Sequence, residues 1–159
     1  MKQFVSNSPA ETKRLGERLS KLLRPGDVIL LQGELGAGKT CLAQGIGRGL
    51  KVVEPVKSSS FVLVNEYNGR LKVYHADLFR LNEPQEVAEL GLEENGEDGL
   101  LLVEWPERAL EELPSEHLLL RFDVLDYKTR RITLTAGGER YEHVLHGLEL
   151  PTPASKASK

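Results

Sequence analysis

The sequence predicts an α/β fold, a P-loop NTPase-like three-layer domain with a mixed parallel and antiparallel sheet. The motif G-E-L-G-A-G-K-T at 33–40 follows the apolar run V-I-L-L and precedes apolar residues at helical spacing. This order of strand, loop and helix is typical of a phosphate-binding unit. The run L-L-L-V at 100–103 is typical of a buried parallel strand. Asn68-Gly69 between two strand-like segments predicts a hairpin, and therefore an antiparallel part of the sheet.

Length and composition indicate one domain over 1–150. The chain has 159 residues and one cysteine, so we expect no disulfide framework and no cysteine cluster for zinc. The net charge is −3, from 21 Lys and Arg against 24 Asp and Glu, which excludes a strong basic field for direct nucleic-acid binding. Because the sequence shows no signal-peptide pattern and no apolar run near the ~18 residues of a membrane helix, we expect a cytoplasmic protein without membrane contact. The tail 151–159 has no large apolar residue and is expected to be disordered.

The first half of the chain predicts a helix, a strand and a second helix. Ser8, Pro9 and Glu11 form a capped first turn, and leucines then recur at helical spacing up to the stop at Pro25-Gly26. The apolar run 28–31 is the predicted central strand, and the second helix begins near Lys39. Three glycines in that helix lower its intrinsic stability, so we expect it to pack tightly against its neighbours.

The second half predicts a hairpin, two short helices and closing strands. The segments 61–67 and 71–76 are strand-like and flank a two-residue turn at Asn68-Gly69. Asn82 is expected to cap a short helix that ends at Gly91, and Pro106 to open one of one to two turns. The segments 117–125, 130–136 and 140–145 are predicted strands, the last two joined across Gly137-Gly138.

The loop motif predicts a nucleoside triphosphate site with Mg²⁺. Its glycines let backbone N–H groups close around the β-phosphate, Lys39 reaches the β- and γ-phosphate oxygens, and the Thr40 hydroxyl is placed to ligate Mg²⁺. The following helix start adds the positive end of its dipole. Cys41 is predicted to be a small side chain at the helix start rather than a redox-sensitive thiol. The predicted nucleotide-binding residues of this segment are Gly33, Glu34, Leu35, Gly36, Ala37, Gly38, Lys39, Thr40 and Cys41.

Two carboxylates follow apolar strands and are candidates for the chemistry. Glu104 ends L-L-L-V-E and Asp77 ends V-Y-H-A-D, so both are expected at the carboxyl edge of the sheet near the loop. A P-loop enzyme needs one carboxylate for the Mg²⁺ shell and often a second group that positions water or an acceptor. The alternative for each is a cap of the next turn or a partner for an arginine.

Three further positions have a functional and a structural interpretation. The stretch K-S-S-S at 57–60 lies where P-loop proteins commonly place a segment that senses the γ-phosphate, but taken alone it is a polar turn. His75 is either a packed, hydrogen-bonded histidine or a group that supports Asp77. Trp105 and Tyr67 are expected to serve packing.

Five motifs, taken in order, resemble the TsaE (YjeE) family. They are G-E-L-G-A-G-K-T, S-S-S-F-V-L-V-N-E-Y, H-A-D-L-F-R-L, the E-x-x-E-L-G pattern at 86–91, and L-L-V-E-W-P-E. The match as a whole runs from about Glu11 to Glu107, roughly two thirds of the chain. The combination of E-W with H-x-D-L-x-R-L is far more specific than the P-loop alone. The family comprises bacterial ATPases of tRNA threonylcarbamoyladenosine synthesis.

The resemblance implies a role for each matched residue. It implies Thr40 and Glu104 around Mg²⁺, Lys39 on the phosphates, Asp77 as the second carboxylate needed for hydrolysis, and Ser60 as the switch hydroxyl. It also implies that the first helix start near Ala10 and the turn near Thr129 flank the base.

Two positions depart from the family pattern. The usual segment reads S-P-T-F or S-P-T-Y, whereas here Ser59 replaces the proline and Ser60 the threonine. We therefore expect a looser switch segment, because proline fixes φ. Cys41 replaces a second threonine, with little expected consequence since Thr40 keeps the Mg²⁺ position.

The resemblance implies that the protein is a Mg²⁺-dependent ATPase with ATP as its nucleotide. It also implies that the protein works with the TsaD catalytic subunit and its TsaB companion and contacts tRNA only indirectly. A small-molecule kinase stays open, since a phosphate loop with two carboxylates also describes phosphoryl transfer to an acceptor. A GTPase switch is disfavoured because N-K-x-D and D-x-x-G segments are absent from the sequence. A non-catalytic nucleotide-binding module is the remaining alternative.

Overall fold

The computed structural model describes residues 1–56, 64–92 and 97–151. The predicted switch segment with Ser59 and Ser60, and the first part of the predicted strand 61–67, lie outside the described residues. So does the predicted disordered tail, apart from Pro151, which is buried. The main elements are β1 (Lys2–Ser6), α1 (Pro9–Ser20), β2 (Val28–Gln32), α2 (Lys39–Gly49), β3 (Val64–Asn68), β4 (Lys72–Asp77), β5 (Gly99–Glu104), β6 (His117–Val124), β7 (Arg130–Gly137) and α3 (Glu139–Gly147).

The described strands form one mixed sheet in the order β1-β7-β6-β2-β5-β4-β3. The four central strands β6, β2, β5 and β4 pair in parallel. The outer pairs β1 with β7, β6 with β7, and β3 with β4 are antiparallel. This topology confirms the predicted α/β fold with a mixed sheet.

The sheet is covered on both faces, which makes three layers. Ile29 and Leu31 of β2 belong to the core beneath α1, α2 and α3, whereas Leu30 belongs to the core on the opposite face. In the described part of the chain, 3₁₀ turns at Pro84–Leu90, Pro106–Arg108 and Leu110–Glu112 lie along that opposite face. Burial on both faces explains why β2 is a continuous apolar run.

Helix α1 begins as the sequence predicts. The Ser8 hydroxyl accepts a hydrogen bond from the Glu11 backbone N–H at 3.1 Å, and the Glu11 carboxylate accepts one from the Asn7 N–H at 3.0 Å. In a standard capping box the carboxylate accepts its hydrogen bond from the backbone N–H of the cap residue itself, whereas here it accepts from the residue before the cap.

The described residues contain no helix with both the length and the apolar character needed to cross a membrane.

The expected tight packing of α2 is confirmed. A Cβ atom at Gly45 would lie 2.1 Å from the Lys13 carbonyl oxygen of α1, a distance that no side chain could occupy. The glycine is therefore needed for the close approach of the two helix backbones, and α2 is stabilised by this contact rather than by helix propensity.

Two terminal segments differ from the sequence-based prediction. The predicted strand over 140–145 is wrong, because these residues lie within α3. Tyr141, Val144 and Leu145 are its buried residues, and their three- and four-residue spacing is that of one helix face. Strand β1 was not expected; it pairs with β7 and buries Phe4 and Ser6 on one side.

Two turn predictions are also wrong in detail. Asn68 pairs with Lys72, so residues 69–71 connect β3 and β4 and the turn is longer than the predicted two residues. The Arg70 N–H donates to the Leu50 carbonyl at 2.6 Å, so the end of α2 holds this turn. The helical segment Pro84–Leu90 begins after Glu83 rather than after the predicted cap Asn82, but it does end at Gly91, with φ of 66°.

Candidate nucleotide site

The phosphate-loop motif lies at the carboxyl end of the parallel strands. Strand β2 leads into the loop, and Leu31 at its end pairs with Glu104 of β5. Glu104 also pairs with Asp77, the last residue of β4. The sheet register therefore brings both predicted carboxylates beside the loop, as expected for ligands in open α/β sheets.

The loop backbone depends on glycine at two positions. Gly36 and Gly38 have φ of 79° and 107°, in the left-handed region where a Cβ atom is costly. Gly38 is the cap of α2, and the helix begins at Lys39. The motif thus fixes the curvature of the loop and turns the helix N-terminus towards the space in front of it.

The first of two clefts at this edge, which we call the loop cleft, has a volume of about 390 Å³. It brings together Lys39, Thr40, Asp77 and Glu104, four of the residues predicted for phosphate and metal binding. Its described lining is Leu35, Gly36, Ala37, Gly38, Lys39, Thr40, Cys41, Asp77, Phe79, Arg80, Glu104 and Trp105.

The Lys39 side chain is folded back within the loop cleft. Its ammonium donates to the Gly33 carbonyl and lies 3.7 Å from the centroid of the Trp105 ring, a cation–π contact. Burial lowers the pKa of the Lys39 ammonium, while Glu104, Glu107 and Asp77 oppose that shift. Trp105, expected only to pack, is therefore a wall of the cleft and a partner of its lysine.

Asp77 is buried at the end of β4. Its Oδ1 accepts a hydrogen bond from the Phe79 backbone N–H at 3.0 Å. Burial raises the pKa of the Asp77 carboxyl, the Phe79 hydrogen bond lowers it, and the nearby Glu104 raises it further. Asp77 therefore fits both interpretations. It caps the following turn, as the structural interpretation predicts, and it lines the cleft, as the functional interpretation requires.

Glu104 is held by a histidine. The His75 Nε2 and the Glu104 Oε2 are 2.6 Å apart, and both side chains are buried. The other ring nitrogen, Nδ1, is 3.3 Å from the Tyr67 hydroxyl. His75 is therefore a packed, hydrogen-bonded histidine whose carboxylate partner is Glu104 rather than Asp77, and Tyr67 extends the chain to β3.

The oxygen atoms in the loop cleft fit Mg²⁺. Thr40 offers a hydroxyl, and Asp77 and Glu104 offer carboxylates, which are hard donors suited to this ion. Within residues 1–56, 64–92 and 97–151 no group of three or more His, Cys, Asp or Glu side chains is arranged to hold a metal. Such a sparse donor set suits Mg²⁺, which usually takes one or two carboxylates together with water and substrate phosphates.

The second cleft, which we call the turn cleft, has a volume of about 370 Å³ and adjoins the first. It shares Gly36, Gly38 and Cys41 with the loop cleft. Its described lining is Asn7, Ser8, Pro9, Thr12, Gly36, Gly38, Cys41, Tyr127, Lys128 and Arg130. The predicted Ala10 and Thr129 lie directly beside lining residues but are not themselves in this set, and their role stays a prediction.

Arg130 connects the two clefts. Its guanidinium donates to the Gly36 carbonyl at 3.2 Å and to the Asp126 carbonyl at 2.7 Å. The tip of the phosphate loop is thereby tied to the turn between β6 and β7. Sequence reasoning missed this residue, because the contact joins segments far apart in the chain.

Arg80 and Tyr127 were also missed. Arg80 is exposed at the edge of the loop cleft and belongs to the segment H-A-D-L-F-R, so its place after Asp77 was a usable signal. Tyr127 is 83% exposed, and a single exposed aromatic residue in a turn gives no signal by itself, so only its place in the turn cleft draws attention to it. Ser60 lies outside the described residues, so its predicted role as a switch hydroxyl stays a prediction.

Comparison with known proteins finds a matching family and a matching fold. The sequence model of a family described as "Threonylcarbamoyl adenosine biosynthesis protein TsaE" matches residues 6–132. A Bacillus subtilis protein named tRNA threonylcarbamoyladenosine biosynthesis protein TsaE is 41% identical over 138 residues, which cover 85% of this chain and 85% of the relative. A protein of the same name from Nostoc sp. is 45% identical over 130 residues, covering 78% and 79% respectively. The crystal structure of Bacillus subtilis YdiB matches with a TM-score of 0.81 at 34% identity, over 99% of this chain and 96% of that one.

Proposed function

The chain belongs to the TsaE family, and from this premise we propose that it is a Mg²⁺-dependent ATPase of tRNA threonylcarbamoyladenosine biosynthesis. The observation that carries the proposal is the meeting of Lys39, Thr40, Asp77 and Glu104 in one cleft at the carboxyl edge of the sheet. A phosphate loop alone would support binding; two buried carboxylates opposite it support hydrolysis.

The two clefts divide the nucleotide between them. The triphosphate occupies the loop cleft, where the backbone from Gly33 to Thr40 and the α2 N-terminus favour negative charge. The nucleoside occupies the turn cleft, which adjoins it through Gly36 and Gly38. Lys39 leaves the Gly33 carbonyl and the Trp105 ring to meet the β- and γ-phosphates, exchanging weak neutral partners for charged ones.

Each polar side chain has a separate part in hydrolysis. Thr40 and Glu104 hold Mg²⁺, which when bound neutralises charge on the phosphate oxygens. Asp77 orients the attacking water, and Ser60, which lies outside the described residues, keeps its predicted role as the switch hydroxyl. Glu34, Leu35, Ala37 and Cys41 complete the loop around the phosphates.

The proposed setting is the cytoplasm, with TsaB- and TsaD-type proteins as partners. The family description and the names of the relatives support a place in the tRNA modification pathway. The net charge of −3 favours a protein-docked ATPase that meets tRNA only indirectly over one that grips RNA itself.

The test is phosphate release from ATP by the purified chain, alone and with its two partner proteins. We expect slow Mg²⁺-dependent release that the partners stimulate and that Asp77→Asn and Glu104→Gln abolish. Glu66→Gln, an exposed glutamate of β3, is the matched control and should leave release unchanged. Stoichiometric phosphorylation of an added small-molecule acceptor would favour the kinase, and normal release by Asp77→Asn would contradict the proposed site.

A further inference from the structure

A buried hydrogen-bond chain runs from β3 to the edge of the loop cleft. Tyr67, His75 and Glu104 lie on the three neighbouring strands β3, β4 and β5. The Tyr67 hydroxyl is 3.3 Å from His75 Nδ1, and His75 Nε2 is 2.6 Å from Glu104 Oε2. All three residues are at most 4% exposed, so water does not compete for these bonds.

The strand register places the chain on one face of the sheet. Tyr67 and Val73 belong to the core beneath the helices, and His75 follows Val73 by two residues on β4. Glu104 follows Leu102, which belongs to the same core, by two residues on β5. Because side chains alternate along a strand, His75 and Glu104 point to this face together with the helix that begins at Lys39.

The short contact between His75 and Glu104 constrains the position of its proton. A contact of 2.6 Å between a ring nitrogen and a carboxylate oxygen requires a proton between them, since two lone pairs would repel. When that proton resides on Nε2 of a neutral ring, Nδ1 is left to accept a hydrogen bond from the Tyr67 hydroxyl, 3.3 Å away. Tyr67 thus favours the ring form that His75 needs in order to donate to Glu104.

We propose that His75 is a positioning residue that holds Glu104 Oε2, so that the other carboxylate oxygen faces the metal, and that Tyr67 keeps the imidazole in the donating form. This inference rests on the proposed function, in which Glu104 is the carboxylate of the Mg²⁺ site. His75 does not belong to the described lining of the loop cleft, so it acts through Glu104 rather than on the nucleotide.

The hydrogen bond matters because an unrestrained glutamate can rotate about three side-chain bonds. Mg²⁺ demands near-ideal octahedral geometry, so a misdirected oxygen loses most of its value as a ligand. Removing the groups that orient metal ligands typically lowers metal affinity about 10- to 100-fold. Nucleotide binding without metal uses Lys39 and the loop backbone and should not depend on His75.

The experiment compares His75→Phe, His75→Gln and Tyr67→Phe with the parent chain. Phenylalanine keeps a buried ring without a donor, whereas glutamine places an amide N–H close to the position of Nε2. Three quantities are measured: Mn²⁺ affinity of the ADP complex by electron paramagnetic resonance, ADP affinity in EDTA, and the Mg²⁺ concentration for half-maximal ATP hydrolysis.

We expect His75→Phe to weaken Mn²⁺ binding about 10- to 100-fold and to raise the Mg²⁺ requirement in parallel. ADP affinity in EDTA should stay unchanged, and His75→Gln should recover most of the metal affinity. Tyr67→Phe removes one neutral hydrogen bond and should weaken Mn²⁺ binding about fivefold. If His75→Phe does not fold, as judged by its thermal transition, His75→Gln and Tyr67→Phe carry the comparison.

Two results would overturn the inference. One is unchanged Mn²⁺ affinity in His75→Phe, or in Tyr67→Phe where the first variant does not fold. The other is an equal loss of ADP affinity in EDTA, which would make His75 a structural residue. The variant Glu104→Gln separates this failure from that of the proposed function. If Glu104→Gln binds Mn²⁺ with normal affinity, the metal site itself is misplaced. If Glu104→Gln binds Mn²⁺ more weakly while His75→Phe binds it normally, only the role of His75 is contradicted.

Discussion

The loop cleft and the turn cleft share Gly36, Gly38 and Cys41, yet their other walls come from different sources. The loop cleft is built from one continuous motif and from the ends of two strands that pair in register. The turn cleft is built from the start of α1 and the turn between β6 and β7, which meet only in the folded chain. The local conformation of the loop and the register of the parallel strands therefore specify the first cleft, whereas packing between a helix start and a distant turn specifies the second.

The two clefts also differ in charge. The loop cleft contains the cations Lys39 and Arg80 opposite the buried carboxylates Asp77 and Glu104. The described turn cleft contains cationic, hydroxyl and aromatic side chains but no carboxylate. Changes in the loop cleft should therefore affect chemistry, and changes in the turn cleft should affect nucleotide affinity.

Among the substitutions that compare the two clefts with each other, Lys39→Ala should have the largest effect. Removing this ammonium takes away a charge-assisted donor to the phosphates, and the loss of one such group typically costs roughly 100- to 1,000-fold in turnover. The measurement is steady-state phosphate release at saturating ATP and Mg²⁺. Lys128→Ala, the lysine of the turn cleft, is the matched control and should lower release less than about tenfold. Equal losses in the two variants would remove the distinction between the clefts.

Gly38→Ala should have the next largest effect, because Gly38 belongs to both clefts and has φ of 107°. An alanine in the left-handed region costs roughly 1–2 kcal/mol, so the free energy of unfolding should fall by about that amount and ATP affinity should fall with it. The measurements are denaturant unfolding and ATP titration.

Gly147→Ala is the control for this substitution. A Cβ atom there would meet Leu22 side-chain atoms only at 3.6 Å and 3.9 Å, which is ordinary contact. Because alanine is the better helix former, stability should be unchanged or rise slightly. A Gly38→Ala chain as stable and as tight-binding as the parent would show that the loop does not need its glycine geometry.

The same contrast explains how much of the site could be predicted from the sequence. Lys39, Thr40, Asp77 and Glu104 were predicted to share a site because a glycine-rich loop and strand ends have fixed positions in a parallel sheet, and the structure places them together. Arg130 has no local signal, since its bond to Gly36 exists only after β7 has joined the sheet.

The fold shows the same limit. The central sheet was predictable because strands buried on both faces are continuous apolar runs. Segment 140–145 was assigned to a strand although Tyr141, Val144 and Leu145 repeat at helical spacing, so here the period was misread rather than hidden. The turn after Asn68 was different, because its length depends on the contact between Arg70 and the end of α2.

Arg130→Gln should have an intermediate effect that separates binding from chemistry. It removes the guanidinium bonds to the carbonyls of Gly36 and Asp126, each worth about 1 kcal/mol. We expect KM for ATP to rise about fivefold while kcat changes less than about twofold. The measurement is the dependence of phosphate release on ATP concentration.

Arg131→Gln provides the control for Arg130→Gln. Arg131 is the next residue of β7, and adjacent side chains of a strand point to opposite faces, so it lies away from the clefts. KM should stay at the parent value. A fall in kcat with an unchanged KM in Arg130→Gln would instead assign this arginine to the chemical step.

Tyr127→Ala, which should leave both stability and chemistry unchanged, tests whether the turn cleft receives the nucleoside at all. Tyr127 is 83% exposed, so its loss should leave the free energy of unfolding unchanged. Contact between an aromatic ring and a base is worth about 1 kcal/mol or more, so ATP affinity should fall at least about fivefold. Inorganic triphosphate, which has no base, should bind to Tyr127→Ala and to the parent chain with equal affinity. Val53 is about as exposed as Tyr127 but lies outside both clefts, so Val53→Ala is the matched control and should change neither the ATP affinity nor the triphosphate affinity. Equal losses for ATP and triphosphate would mean that Tyr127 acts on the phosphate loop, and the two clefts would then function as one site.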